Sequence, residues 1–261
     1  MNKPIITLLI FWTIYSASFS QLPEPIDVNP KVKKELIDKL GRSWMHDQIW
    51  FDSTEYYNFF APAYLNNDTL VDMVYYGPSG GEPLMTTIYL NEGKTLKDIK
   101  TGLGSIIKYE KPFPDTPTTL HFVEWGCCDD PHNTYQVWFI KDETLFEGEK
   151  YHFLEGTELP QTFNYLFSIR VKNTPYSLRA TPEIINRDFH YHFEKGNIIA
   201  EFSTGDVGHV LSSKTDKTGR IWYFVVMESP LKVGYHNYNI YKDQKWMGWM
   251  SSNYVEIING H

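Results

Sequence analysis

Cysteine is almost absent from this chain of 261 residues, which holds two, adjacent in sequence: Cys127 and Cys128. No Cys-x-x-Cys spacing occurs, so the chain lacks the common thiol redox and zinc motifs that use this spacing. Ordinary disulfides join Cα atoms about 4.4–6.8 Å apart, whereas neighbours across a trans peptide lie about 3.8 Å apart. Three interpretations stay open: two free thiols, a redox or metal centre, and a vicinal disulfide. We favour the disulfide, which with Trp125 would form part of a ligand surface.

Long apolar runs are also missing, and the one apolar stretch of note lies at the N-terminus. Residues 5–15 are apolar, Lys3 is the sole charge among the first twenty residues, and Ser18-Phe-Ser20 supplies the small residues that a signal peptidase needs. Such a stretch is too short to cross a hydrocarbon core about 30 Å thick as a helix. The sequence therefore predicts a signal peptide over residues 1–20, cleavage before Gln21, and a secreted or periplasmic protein without a transmembrane segment.

Basic side chains are outnumbered, and the imbalance is confined to one part of the chain. Residues 21–165 carry 23 acidic and 12 basic side chains, a net charge of −11, whereas residues 166–261 carry 9 and 11, a net charge of +2. An acidic surface repels polyanions, so nucleic acid is excluded as a partner of the first part. The shift in charge predicts two domains: an acidic one over 21–165 and a second over 166–261.

Helical periodicity is scarce beyond one short segment. Asn29 is a suitable N-cap, Pro30 fits the first helical position, and Gly41 can end the helix in a left-handed conformation. Apolar residues recur every fourth position between them: Val32, Leu36 and Leu40. This pattern predicts one amphipathic helix.

The rest of the first domain has the pattern of strands. Segments 70–76, 85–90, 119–125 and 135–140 are short, β-branched or aromatic, and bounded by turn residues. Three prolines in residues 112–117 predict a loop. With 42% hydrophobic and 16% aromatic residues the chain can bury a substantial core. The predicted class is mainly β, with an N-terminal β-rich domain that contains one short helix.

Three motifs follow one another in the last ninety residues. Leu-Arg-x-x-Pro spans 178–182, Trp-Tyr-x-Val spans 222–225, and Gly-Trp-x-x-x-x-Tyr-Val spans 248–255. In this order they resemble the opening, central and closing segments of the bacterial SH3-like domain. The resemblance implies a small β-barrel over 166–261 that binds, commonly to cell-wall material, and catalyses nothing itself. Insertions at 184–197 and 228–247 depart from the family pattern and would reshape its groove.

The resemblance also implies a set of ligand-binding residues, because SH3-type barrels hold extended ligands with aromatic side chains between their loops. The candidates in this chain are Tyr176, Trp222, Tyr223, Trp246, Trp249 and Tyr254. Alternate residues of a strand face inward, so either Trp222 or Tyr223 is buried, but not both. Trp249, which follows Gly248, is most often a packing residue in this family.

One loop of the first domain carries a metal-like signal. Residues 64–72 alternate Asn and Asp ahead of a hydrophobic strand, and they resemble the calcium loop of FG-GAP or VCBS repeats. The resemblance implies Asn66, Asp68 and Asp72 as calcium ligands, since calcium takes six to eight oxygens. Tyr64 stands where the family has its first Asp, and Thr69 where it has Gly. The alternative is a turn whose side chains bond their own backbone.

Enzyme motifs are weak throughout the chain. Gly77-Pro-Ser79-Gly-Gly81 satisfies Gly-x-Ser-x-Gly, but a second strand follows where a nucleophile elbow requires a helix, so we interpret it as a hairpin loop. His190 and His192 share a strand face without an acidic or cysteine partner at a zinc-site interval. Asp129 and Asp130 are adjacent on a turn, unlike the separated acid and base of a glycosidase.

Two classes of function remain. The first is a secreted, non-catalytic binding protein of bacterial type, whose SH3-like domain recognises a cell-wall glycan or peptide (peptidoglycan) or another exported protein. The second is an exported hydrolase, acting on cell-wall or polysaccharide material, whose active site escapes motif recognition. The missing nucleophile, acid–base pair and metal set favour the first.

Overall fold

The computed structural model describes residues 29–40, 57–81, 84–111, 116–126, 130–172, 176–186, 196–228, 233–234 and 244–258. Several predictions lie outside these ranges: the signal peptide, the Gly41 cap, the pair Cys127–Cys128, Asp129, His190 and His192. In the described part the predicted class is confirmed, because the chain is built from one helix, two antiparallel sheets and short 3-10 turns.

The helix α1 spans Pro30–Asp38 and starts as predicted. The Asn29 side chain accepts a hydrogen bond of 2.9 Å from the backbone nitrogen of Lys31 and so satisfies one free donor of the first turn. The buried face differs slightly from the prediction: Leu36 and Ile37 are buried, whereas Val32 is exposed. Leu36 and Ile37 pack against Phe60 and Tyr75.

The first sheet has seven strands in the order of the sequence. Its strands are β1 Phe60–Ala63, β2 Asp72–Gly77, β3 Met85–Asn91, β4 Leu96–Glu110, β5 Thr118–Glu124, β6 His132–Lys141 and β7 Thr144–Leu154. The four strands predicted from the sequence correspond to β2, β3, β5 and β6. The prediction missed β1, β4 and β7. Alternating Lys, Asp, Glu and Gly residues leave much of β4 and β7 exposed.

The second sheet has eight strands in the order β13-β10-β9-β14-β12-β11-β8-β15. They are β8 Phe167–Val171, β9 Tyr176–Arg179, β10 Ile198–Phe202, β11 Val207–Thr215, β12 Ile221–Met227, β13 Val233–Gly234, β14 Met247–Ser251 and β15 Val255–Ile258. A 3-10 helix, Ser252–Tyr254, joins β14 to β15. Over the described residues this sheet has two edges, β13 and β15, and does not close into the expected barrel.

The chain forms two compact units, and the division crosses β5, β6 and β7. The first unit takes the described residues up to Gly80 together with Leu84–Phe122 and Phe139–Phe146. The second takes Val123–Trp138 and the described residues from Glu147 onward. The division therefore differs from the sequence-based boundary at 165/166, since residues 123–138 and 147–165 belong to the second unit.

Candidate functional site

The three SH3-like motifs meet on neighbouring strands of the second unit. Arg179 on β9 is paired with Trp249 on β14, and Trp249 is paired in turn with Phe224 on β12. A Cβ on Gly248 would lie 2.7 Å from the backbone oxygen of Arg179. Gly248 therefore allows the strands to approach closely, and Trp249 supplies a large side chain that packs beside it. The indole nitrogen of Trp249 donates a hydrogen bond of 2.7 Å to the backbone oxygen of Glu158.

Most of the aromatic residues expected to bind a ligand belong to the core. Tyr176, Trp222, Trp246 and Trp249 are each at most 8% exposed. Tyr223 and Tyr254 are half-buried. Trp222 is fully buried, and Tyr223, on the opposite face of the strand, is half-buried and packs against the core, so of the two only Trp222 is buried, as predicted. In this structure the four rings pack in the core, and Trp249 also lines a cleft of the second unit, so ligand binding by these residues stays a prediction.

Two histidines flank the buried Trp246. The ring centroids of His132 and His152 lie 5.7 and 5.9 Å from that of Trp246. His132 Nδ1 lies 2.5 Å from Asp130 Oδ1, and the backbone nitrogen of His152 donates 2.8 Å to the oxygen of Lys245. Burial, followed by the neighbouring His132, lowers the pKa of His152 to about 4. His152 is therefore a neutral core residue at neutral pH.

An open cleft of about 400 Å³ lies beside Trp249. One wall is the extended segment 158–162, and the other is Ser212–Lys214 of β11. Lys214 Nζ bonds Glu158 Oε1 at 2.5 Å across the cleft, and both side chains are about half exposed. A β-bulge between Val210 and Ser212 displaces β11 here. We call this the Ser212 cleft.

A second, shallower cleft of about 360 Å³ lies at the turn between β11 and β12, and we call it the Arg220 cleft. Its lining residues are Thr218, Gly219, Arg220, Ile221, Ser252 and Asn253. The guanidinium of Arg220 lies over the Trp222 ring, 5.7 Å from its centroid. Sequence reasoning missed Arg220, although it stands two residues before the Trp of the central motif.

Asp216 organises the turn beside the Arg220 cleft. Its Oδ1 accepts hydrogen bonds from the backbone nitrogen and hydroxyl of Thr218 and from the backbone nitrogen of Arg220. Its Oδ2 accepts a hydrogen bond of 2.9 Å from Trp222 Nε1. The Thr218 hydroxyl and the Trp222 indole hold the pKa of Asp216 well below its usual range. The carboxylate is therefore ionised and fully occupied by donors of its own turn.

The predicted calcium ligands hold one another and the backbone. Asp72 is buried, and its two oxygens accept from the backbone nitrogens of Leu65 and Asn91, at 2.8 and 2.9 Å. Asn66 Nδ2 donates a hydrogen bond of 2.8 Å to Asp68 Oδ2. In return, Asn66 Oδ1 accepts a hydrogen bond from the backbone nitrogen of Asp68. Burial raises the pKa of Asp72 to about 6, and the two backbone donors oppose that rise.

A lysine ammonium already lies against this loop. Lys111 Nζ donates a hydrogen bond of 2.5 Å to the backbone oxygen of Asn66 and one of 3.4 Å to the backbone oxygen of Tyr64. Within the described ranges no group of three or more His, Cys, Asp or Glu side chains is placed to hold a metal ion. The arrangement fits the Asx-turn alternative better than a calcium site, which needs convergent oxygens free of other donors.

A serine, a histidine and a glutamate form a hydrogen-bonded chain that sequence reasoning also missed. Ser168 Oγ lies 3.0 Å from His209 Nδ1, and His209 Nε2 lies 3.3 Å from Glu228 Oε1. The hydroxyl of Tyr165 lies 3.1 Å from Ser168 Oγ. These residues are distant in sequence and come together because Ser168 on β8 is paired with His209 on β11. No local motif could have indicated them.

Comparison with protein-family models, curated proteins and solved structures finds no match to this chain. Among the described residues no helix is both long and apolar enough to cross a membrane.

Proposed function

We propose that this chain is a secreted, non-catalytic binding protein whose second unit recognises a cell-wall glycan or peptide, or an exported protein. The observation that carries the proposal is the Ser212 cleft. It combines a hydroxyl pair, a cation, an amide and a backbone wall: Ser212, Ser213, Lys214, Gln161 and residues 158–162. Such convergent donors and acceptors suit a polar, extended ligand such as a glycan or peptide chain.

The signal-peptide pattern and the SH3-like motifs support the same proposal. An exported binding module is exposed to cell-wall polymers. Residues 166–261, which include Ser212–Lys214 of the cleft, carry a net charge of +2, whereas the −11 of residues 21–165 would repel an anionic wall. The buried aromatic residues then serve as the frame that holds the two walls of the cleft, since Trp249 Nε1 fixes Glu158 and Trp249 itself lines the cleft.

Retention on purified cell-wall sacculi tests the proposal. We expect the full chain to sediment with sacculi, and the double variant Ser212→Ala/Gln161→Ala to lose retention at unchanged melting temperature. Lys217→Ala, an exposed change in the neighbouring turn, is the matched control. Absence of retention by the unmodified chain would refute recognition of the wall, and capture of a defined exported protein would then be the remaining form of the proposal.

A second candidate function, hydrolysis of an ester or amide, is favoured by the chain Ser168–His209–Glu228. Its order of nucleophile, base and acid is that of a catalytic triad. Two features oppose it: β8 is paired with both β11 and β15 at Ser168, and Ser168 is itself buried. The sheet ladders engage the backbone donors that would otherwise form an oxyanion hole.

Covalent labelling separates the two candidates. A fluorophosphonate probe should leave the chain unlabelled if it only binds, whereas labelling that is abolished by Ser168→Ala would establish the hydrolase. Release of soluble fragments from sacculi by the unmodified chain, but not by Ser168→Ala, would do the same.

A further inference from the structure

Arg220 is the charged residue among those that line this cleft, and its guanidinium lies over the Trp222 ring. Its Nη1 atom is withdrawn from solvent, and no described residue accepts a hydrogen bond from it. A buried donor left without an acceptor destabilises the folded chain unless a ligand supplies one. The backbone nitrogen of Arg220 donates to the Asp216 side chain, and its backbone oxygen accepts from the Asp216 backbone nitrogen. These two hydrogen bonds fix the position of the Arg220 Cα, from which the side chain extends.

The nearest acid does not neutralise this guanidinium by a hydrogen bond. Asp216 uses Oδ1 for Thr218 and the Arg220 backbone, and Oδ2 for Trp222. Arg179 is a second cation near Arg220 and adds to the local positive potential. Burial lowers the pKa of Arg179, the nearby Tyr176 raises it, and the charge of Arg220 lowers it. The guanidinium of Arg179 is occupied by oxygens of Asn197, Asn186 and Ile185.

The rest of the cleft supplies neutral polar groups. Thr218, Ser252 and Asn253 line it beside Arg220, and Asn253 and Thr218 are exposed. Ser252 and Asn253 lie in the 3-10 helix that follows β14, where Ser251 is the N-cap. One unpaired guanidinium among hydroxyl and amide groups matches an anion of single charge, because a dianion would need a second free cation.

We propose that the Arg220 cleft binds a carboxylate, such as the free C-terminus of a peptide, through the guanidinium of Arg220 held over Trp222. A carboxylate presents two oxygens in a plane, which the guanidinium fork matches with two parallel hydrogen bonds. The Trp222 ring beneath the guanidinium orients it and excludes water from one side. The proposal deepens the proposed function, since it names a chemical group on the ligand of the same unit.

Both clefts border the β11–β12 hairpin. Ser212–Lys214 of β11 line the first, and the turn 218–221 lines the second. A peptide-containing ligand would then be recognised by its polar chain at one cleft and by a carboxylate at the other. Binding of a free carboxylate probe does not depend on the first cleft, so the two proposals can fail separately.

The test follows the indole Nε1–H resonance of Trp222 in the full chain by NMR. The probes are a short peptide with a free C-terminal carboxylate, the same peptide as its C-terminal amide, and inorganic phosphate. We expect the carboxylate peptide to shift the resonance saturably, and the amide and phosphate to leave it in place. The resonance is a close reporter because the indole donates to Asp216 beside the cleft.

Variants complete the test. Arg220→Gln should abolish the shift, and Arg220→Lys should weaken binding about tenfold because an ammonium cannot form the paired bonds. Lys217→Gln, in the same turn, should leave binding unchanged. Equal shifts by the amide, equal shifts by phosphate, or a shift that survives Arg220→Gln would each overturn the proposal. If Arg220→Gln fails to fold, the comparison of carboxylate with amide on the unmodified chain still decides it. Failure here with retained sacculus binding would refute the carboxylate site alone.

Discussion

The indole nitrogen of Trp222 donates a hydrogen bond of 2.9 Å to Oδ2 of Asp216, across the turn that joins β11 and β12. The Trp222 ring is fully buried, so this bond fixes the exposed turn to the core of the second unit. The same carboxylate holds Thr218 and Arg220, which means that one side chain positions the whole wall of the Arg220 cleft.

Asp216→Ala should loosen this turn without unfolding the unit. We expect the Trp222 indole hydrogen to exchange with solvent about tenfold faster, which is the effect of losing one hydrogen bond to a charged group. Exchange of the indole Nε1–H with solvent, measured by NMR, checks this. Lys217→Ala in the same turn is the control, and equal exchange rates in the two variants would show that Asp216 does not anchor Trp222.

Trp246→Ala should destabilise the second unit strongly. The ring is 2% exposed and lies between His132 and His152, so its removal leaves a large cavity. We expect a loss of about 3–5 kcal/mol in the free energy of unfolding, measured by urea titration. Tyr165→Ala, at a residue 59% exposed, serves as the control and should change stability little. A small effect of Trp246→Ala would mean that the ring is available to a ligand after all.

Gly248→Ala should separate β14 from β9. The new Cβ would lie 2.7 Å from the backbone oxygen of Arg179 and 3.0 Å from Leu178 and Ile199, in a region where backbone cannot yield cheaply. We expect a cost of about 1–3 kcal/mol, the range for overpacking a core, in thermal or urea unfolding. Gly81→Ala meets no atom within 4 Å and should be neutral. Equal stability of the two variants would contradict the close approach of the strands.

Acid should affect the two units in opposite directions. The pKa of Asp72 is raised from 3.8 to about 6, so the folded first unit binds its proton more tightly and its free energy of unfolding increases as pH falls from about 6 to about 4. The pKa of His152 is lowered from 6.5 to about 4, so the second unit loses stability as pH falls through that range.

Hydrogen exchange of backbone amides at pH 6.5 and pH 4.5 measures the two responses separately. Asp72→Asn should remove the response of the first unit, and His152→Gln that of the second. Parallel changes in both units, unaffected by these variants, would show that other groups control the pH dependence.

The ammonium of Lys111, and not a calcium ion, should stabilise the loop around Asp68. Lys111→Met removes the ammonium from the carbonyl oxygens of Asn66 and Tyr64, and we expect a loss of about 1–2 kcal/mol in unfolding free energy. Lys97→Met, which breaks an exposed ion pair with Glu92, is the control and should cost less.

Thermal unfolding of the unmodified chain tests whether the loop binds calcium. Addition of about 5 mM calcium, above the weakest affinities of such loops, should leave the melting temperature of the unmodified chain in place. A rise in that temperature would instead confirm Asn66, Asp68 and Asp72 as ligands.

Local patterns predicted the mainly β class, the start of α1 and four strands of the first sheet. These features depend on local chemistry: a capping side chain reaches a backbone nitrogen two residues away, and short β-branched segments between turn residues favour strands wherever they pack. Strand alternation also predicted that only one of Trp222 and Tyr223 is buried, and Trp222 is that residue, although Tyr223 packs against the core from the other face of the strand.

Which aromatic residues belong to the core, and which groups meet at a cleft, depends on how the whole chain folds. The pairing of Ser168 with His209, the contact of Lys111 with Asn66, and the guanidinium of Arg220 over Trp222 join residues through strand pairing and turn geometry. A local pattern cannot give the register of two strands that are distant in sequence. Because burial and charge pairing follow from that register, the candidate site could be located only in the folded chain.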